Sequence, residues 1–406
     1  MLSLIKLLIV VFIFIFLVSR KLNIGLIMLF SSLLMGIFFL MSPMNILKSF
    51  ASGTFNLDTL KLLATVYLTL TFGHFLKEFG YFNKMKISLE NLIHNRNITI
   101  AIPPAIVGFI PMPAGAMLSA PMVEEASKGM NLSPELKTFI SYWFRHPWEY
   151  CWPVYLGMIL ASSVLNMPVR TLSLNQYPLS IAIIVVGIVV CSIMFPKEAK
   201  NIPQTSNLKT KKSRDLGTFF ISILPILLVF VFVVVAKLDV IIALAITVIM
   251  LIFLQKPFPK NILPGLKSGL SLDISLLLVA VMIFKKVLEN SGALTSITQF
   301  LGNSNTSSLA LLAFIPFIVG FLTGVTTAFV GIAFPMLMPL LHNNPTYVMF
   351  AYAFGFAGVL LSPVHLCLAI TKEYFKANLW GVYKMLIPST AFVMLVAIVM
   401  IVIKLG

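Results

Sequence analysis

Residues 144–153 read "FRHPWEYCWP", inside a stretch from Phe139 to Leu160 that is otherwise suited to lipid. Arg145, His146 and Glu149 crowd around Pro147. A charged side chain at membrane depth costs about 2.5–3.5 kcal/mol on insertion scales. Proline removes a backbone donor and disrupts the helix that would carry those charges. Such a segment is a transmembrane helix interrupted at its centre, tolerable where protein or a water-filled cavity covers the freed backbone.

The rest of the chain supports a membrane reading. Of 406 residues, 59% are hydrophobic and 10% charged, whereas a soluble domain carries about 25% charged residues. Leu7–Val18, Ile24–Leu40 and Ile181–Val190 contain no ionisable group. The expected fold class is therefore an all-α polytopic membrane protein. A formal charge of +16 would suit nucleic acid if it were clustered. The Lys and Arg fall instead in short loops between apolar runs, and no nucleic-acid partner is expected. Cys151, Cys191 and Cys367 lie in apolar segments without disulfide or zinc spacing, and read as small packing residues. The first apolar run ends at "VSRK" without a small-residue cleavage pattern, so it reads as a first span.

Apolar windows predict about ten transmembrane helices, near 3–18, 23–42, 57–77, 136–162, 178–195, 216–236, 238–254, 272–288, 346–370 and 385–403. Two further stretches, 98–126 and 306–341, carry central Gly and Pro and suit re-entrant helical hairpins. The halves echo one another in order: "FNLD" (55–58) with "LSLD" (270–273), "PAIVGF" (104–109) with "PFIVGF" (316–321), "WPVYL" (152–156) with "SPVHL" (362–366). The organisation expected is a first repeat over 1–196, a basic linker over 197–215 and a second repeat over 216–406. Each repeat holds five spans and one hairpin, so the odd count inverts the second copy. That threading puts Arg20, Lys84, Arg96, Lys128, the linker cluster, Lys260 and Lys372 on one side, with little beyond Lys48, Arg170, Lys237 and Lys404 on the other. The first side is then cytoplasmic, both termini lie outside, the hairpin 98–126 enters from the cytoplasm and 306–341 from outside. Inverted repeats with broken helices mark secondary transporters, whose site lies near mid-membrane.

The words "GFIPMPAGAMLSAP" and "YWFRHPWEYCWP" resemble those of a prokaryotic integral membrane family, domain of unknown function four hundred and one. That family is placed in the ion transporter superfamily with gluconate, citrate and dicarboxylate carriers. The resemblance covers nearly the whole chain. It implies two re-entrant hairpins, two broken helices, an elevator-type movement within a homodimer and residence in the cytoplasmic membrane. The Ser-Asn-Thr hairpin tips of sodium-coupled dicarboxylate carriers are absent here.

The first hairpin is expected to turn near Pro113 and Gly115, with Ser119 just beyond. The second turns near Thr323, Gly324, Thr326 and Thr327. Small residues there let a substrate reach the backbone and helix ends meet an anion, or else they serve only tight helix packing. Within the breaks, Arg145 offers a planar fork for carboxylate or phosphate, unless Arg145 and Glu149 form an internal i,i+4 pair. His146 and Glu149 are candidates for the coupling proton, and Gly358, Ser362 and His365 supply the second break. Asp58 and Asp273 read as helix caps, and His74 as structural. Trp143, Trp148 and Trp152 line a pocket or mark an interface. The function expected is secondary active transport of a small organic anion driven by H+ or Na+, with no cofactor. The alternatives are a carrier of an amphiphilic or lipid-linked anion and an intramembrane enzyme using His146 and Glu149, perhaps with His365. No HExxH is present, and His146 with Glu149 alone gives too few ligands for a catalytic zinc, so neither metal nor enzyme is expected.

Overall fold

Short polar side chains set where many helices begin. Ser42, Asn56, Ser133 and Ser271 each accept from an amide in the following first turn, satisfying donors that a helix start leaves open. The structure, a computed structural model, describes residues 2–20, 22–92, 99–109, 115–195, 212–255, 262–295 and 307–405. Among these residues every regular element is helical.

The first half comprises α1 (Leu2–Ser19), α2 (Ile24–Phe38), α3 (Pro43–Thr54), α4 (Leu57–Glu78), α5 (Tyr81–Leu92), α6 (Ile102–Gly108), α7 (Ala116–Ala126), α8 (Pro134–Trp143), α9 (Leu156–Leu165) and α10 (Val169–Met194). The second comprises α11 (Lys212–Phe230), α12 (Val240–Leu254), α13 (Ile262–Ser268), α14 (Leu272–Asn290), α15 (Ser308–Thr323), α16 (Thr326–Leu341), α17 (Pro345–Leu361), α18 (Leu366–Phe375) and α19 (Leu379–Leu405).

Among the described residues, five stretches are long and apolar enough to cross a membrane: Leu57–Glu78, Val169–Met194, Asp215–Val235, Pro345–Phe375 and Leu379–Lys404. Their outward faces are apolar too. Along α10, Ile181, Val185, Ile188 and Ile193 are exposed, where a water-facing helix would carry charge. Buried polar groups such as Gln176, Ser180 and Thr247 lie inside. The chain is an all-α membrane protein.

Several boundaries differ from the sequence expectation. The run 178–195 begins earlier, at Val169, and 385–403 begins at Leu379, with Pro178 and Pro388 inside the helices. The first window opened at Pro178, whereas the second already crossed Pro388; inside a membrane bundle a proline can be accommodated by neighbouring groups. The amphipathic α3, α5 and the short α13 lie between apolar windows and carry no hydropathy signal. The tip of the first hairpin and nearly all of the basic linker fall outside the described residues, while the hairpin's arms are α6 and α7.

What positions the site is contact between the halves. α9 packs on α16, and α18 packs on α7 and α8. Within the second half α15 lies against α17, with Gly320 facing the Gly355 carbonyl and Gly358 facing the Phe317 carbonyl. A Cβ on either glycine would stand 2.1 Å from that oxygen. Backbones this close require glycine.

Candidate functional site

The helix α8 ends because Pro147 follows its last turn. The amides of Arg145 and His146 tighten onto Tyr142 and Trp143 carbonyls, and Pro147–Glu149 forms one 3-10 turn. Regular helix resumes at Leu156. In the second half the chain opens from Ser362 to His365, between α17 and α18.

The first break is buried almost throughout, and Leu360, Ser362 and His365 are buried at the second, where Pro363 and Val364 are exposed; buried carbonyls need donors. Side chains supply them. Tyr142 donates to Leu360 O at 3.0 Å, and Tyr383 to Leu361 O at 2.9 Å. Tyr352 donates to Glu149 O at 3.1 Å, and Ser180 to Pro147 O at 2.7 Å. The carbonyls closing the first hairpin's entry arm are treated alike: Trp148 donates to Ala105 O at 2.8 Å and Tyr155 to Gly108 O. Thus each half supplies a tyrosine to the other's break, locking the two broken helices together.

The ionisable groups converge here. Arg145 is 4% exposed, His146 0%, Glu149 8%, His365 8% and Cys367 7%, which places the whole set beyond ordinary solvent. Arg145 Nη1 donates to Cys367 Sγ at 2.8 Å. The same guanidinium lies against Gly115, where a Cβ would stand 2.7 Å from Nε and Nη2. Glu149 Oε2 accepts from Thr326 Oγ1 at 3.0 Å, and Oε1 is 3.8 Å from His146 Nε2. His146 Nδ1 is 2.6 Å from Tyr142 O, His365 Nδ1 is 2.6 Å from Gly324 O, and the two Nε2 atoms face each other at 3.3 Å.

The i,i+4 spacing of Arg145 and Glu149 therefore does not produce the pair a continuous helix would make. The broken backbone turns Arg145 toward the first hairpin and Glu149 toward the second. Gly115 opens α7 with φ −55°, so its lack of a side chain admits the guanidinium and not an unusual backbone. Gly324 does need its conformation: its φ is +64°, and a Cβ would meet His365 N at 2.8 Å.

Other predicted residues lie at or beside this group with humbler partners. Ser119 is buried 3.1 Å from Ser141 Oγ, and Thr323 bonds its own helix at Val319 O. Thr327 is buried. Ser362 Oγ is buried with no hydrogen-bond partner among the described residues, beside Gly324. Gly358 serves helix packing, as described above, and Pro113 lies outside the described residues. Asp58 and Asp273 are not the caps; Asn56 and Ser271 are. Each Asp sits in a first turn, where its charge suits the positive helix end. Asp273 also accepts from Asn23 at 2.9 Å. Asp58 lines a cavity of about 440 Å³ with Lys61 and Asp239, none of which belongs to the buried cluster. His74 packs edge-on to Phe75. Trp143 is fully buried, donating to Ile183 O; Trp148 stacks on Phe109 and Trp152 on Phe230. These rings are internal struts and not an interface belt.

Cys367 is the residue that sequence reading misplaced. The sequence reads it as a small packing residue without disulfide or zinc spacing; in the fold it accepts from Arg145 and lies near His146, both from the other half. The one local signal was His365-Leu366-Cys367, two polarisable ligands flanking one residue at the restart of a helix.

A search of curated proteins returned no match. The family model described as Protein of unknown function (DUF401) matches residues 1–403, and the chain belongs to that family.

Proposed function

We propose that the protein is a secondary active transporter of a small organic anion, working across the cytoplasmic membrane through two inverted repeats. The single observation that carries this reading is that buried Arg145, His146, Glu149 and His365 converge where the two broken helices meet residues of both hairpins. At the second tip, the N-terminus of α16 already has a carboxylate: Glu149 accepts from Thr326 at its first position. A helix start favours such an anion. On the first hairpin, the Arg145 guanidinium lies against Gly115 at the start of α7. The planar fork of Arg145 suits a carboxylate or phosphate.

The remaining features agree with a two-repeat architecture of about ten spans and two hairpins. Tyr142 and Tyr352 exchange roles across the breaks, Asn166 and Lys376 end the following helices in the same left-handed conformation, and Pro178 and Pro388 recur inside the next ones. The ion transporter superfamily, a homodimer and elevator-type movement of hairpins and broken helices fit this plan. His146, His365 and Glu149 are candidate carriers of a coupling proton, since all three are buried and mutually close.

The test is thermal stabilisation of the purified protein across a panel of carboxylates, sugar acids and phosphates. A ligand at about 100 times its Kd adds about 2.7 kcal/mol to native stability. A single class of small anion should raise the melting temperature of the wild type and not that of Arg145→Gln. A panel without any stabilising anion, or one whose effect survives Arg145→Gln, would overturn the reading.

A further inference from the structure

The two imidazoles at the centre of the molecule present a chemical problem. Each Nδ1 sits 2.6 Å from a backbone carbonyl oxygen, Tyr142 O for His146 and Gly324 O for His365. A carbonyl only accepts, so each Nδ1 carries the hydrogen, and in the neutral ring each Nε2 is then a bare lone pair. These two lone pairs face each other at 3.3 Å, buried, where no solvent can separate them. A shared proton would relieve the repulsion but leaves the third member of the group unexplained. Cys367 Sγ forms one cluster with a ring nitrogen of each histidine, the three ligand atoms lying within 4.8 Å of one another.

We infer that His146, His365 and Cys367 form a binding site for one zinc-class divalent cation between the two broken helices. The spacing fits. A tetrahedral zinc about 2.0–2.1 Å from each imidazole nitrogen sets those nitrogens roughly 3.3–3.4 Å apart. The donor set, two imidazoles and a sulfur, favours zinc over the oxygen-seeking Na+, Mg2+ or Ca2+. The outer partners are those a metal site uses: each histidine donates its far N–H to a carbonyl, fixing the tautomer that points Nε2 inward. Arg145 Nη1 donates to the sulfur at 2.8 Å, an outer partner that orients it. Glu149 Oε1 lies 3.8 Å from His146 Nε2, beside the three ligand atoms. The site goes beyond the transport reading and does not rest on it.

Its test is binding, so no cargo need be known. Full-length protein purified on a tag without histidines, stripped with a chelator, is titrated with Co2+. A single equivalent should bind, giving visible d–d absorption and near-ultraviolet thiolate-to-cobalt charge transfer, both bleached by equimolar Zn2+. Cys367→Ser should lose the charge-transfer band. His146→Gln and His365→Gln should each weaken Co2+ binding by more than the roughly 10–100-fold that loss of an outer partner costs. The chain has three cysteines, so Cys151→Ala/Cys191→Ala leaves Cys367 as its one thiol and should keep the wild-type spectrum. That variant decides the question even if Cys367→Ser fails to fold. No charge transfer in the wild type, or a band lost in the Cys151→Ala/Cys191→Ala protein, overturns the site.

Discussion

At the scale of residues, Arg145 and Glu149 divide the work of one broken helix. Arg145 lies against Gly115 of the first hairpin and bonds Cys367, and Glu149 accepts from Thr326 of the second. Arg145→Lys keeps the charge but cannot both bond the sulfur and present a flat fork at Gly115. It should weaken anion-dependent stabilisation by about 1.5–3 kcal/mol, the scale of a charged hydrogen bond. Glu149→Gln should retain anion binding and lose the response of uptake to an imposed proton gradient. Proteoliposome uptake with and without the gradient checks this; gradient-driven uptake by the Gln variant would remove Glu149 from coupling. The two tip glycines should separate as well. Gly324→Ala meets backbone at His365 N and a positive φ, a cost on the order of 1–3 kcal/mol. Gly115→Ala meets only the end of the flexible Arg145 side chain, so its melting temperature should stay near wild type while anion affinity falls.

At the scale of elements, the helix α17 owes its position to glycines that let α15 approach. A methyl at Gly358 would stand 2.1 Å from Phe317 O, and one at Gly320 equally close to Gly355 O. Neither backbone can yield without moving a whole helix. Gly358→Ala should therefore destabilise by about 1–3 kcal/mol or more, as overpacked cores do. Gly217, inside α11, provides the control, for a Cβ there meets nothing within 4 Å. Gly217→Ala should be neutral or stabilising by up to about 1 kcal/mol. Thermal unfolding in one detergent compares them; equal melting temperatures would show that the α15–α17 contact relaxes freely. The broken elements obey a different rule. Their carbonyls are held by Tyr142, Tyr352, Tyr383 and Ser180 from neighbouring helices, so an irregular backbone persists at depth without water.

At the scale of the whole molecule, orientation is the property still open to direct measurement. Single cysteines introduced at 200–212 in a chain lacking its native thiols should react with reagents from the cytoplasmic side. One beside Arg170 should react from outside. The expectation rests on the uneven spread of Lys and Arg between loops. A linker labelled only from outside would invert the threading and exchange the sides from which the hairpins enter.

Much of this architecture was legible in the chain. A run without charge announces its solvent, and a proline among Arg, His and Glu announces a break, because both follow from local chemistry. The words repeated between the halves located the second break and paired His365 with Tyr155. Local chemistry could not show α3 and α5, which gain their helices by packing, nor Pro178 held inside a long helix. Least visible was Cys367. In sequence it is one apolar residue among others, and its meaning comes from Arg145 and His146, more than two hundred positions away. Spacing along a helix reports neighbours within a turn or two; only the docking of one broken helix on the other decides which groups share a buried space and what they hold there.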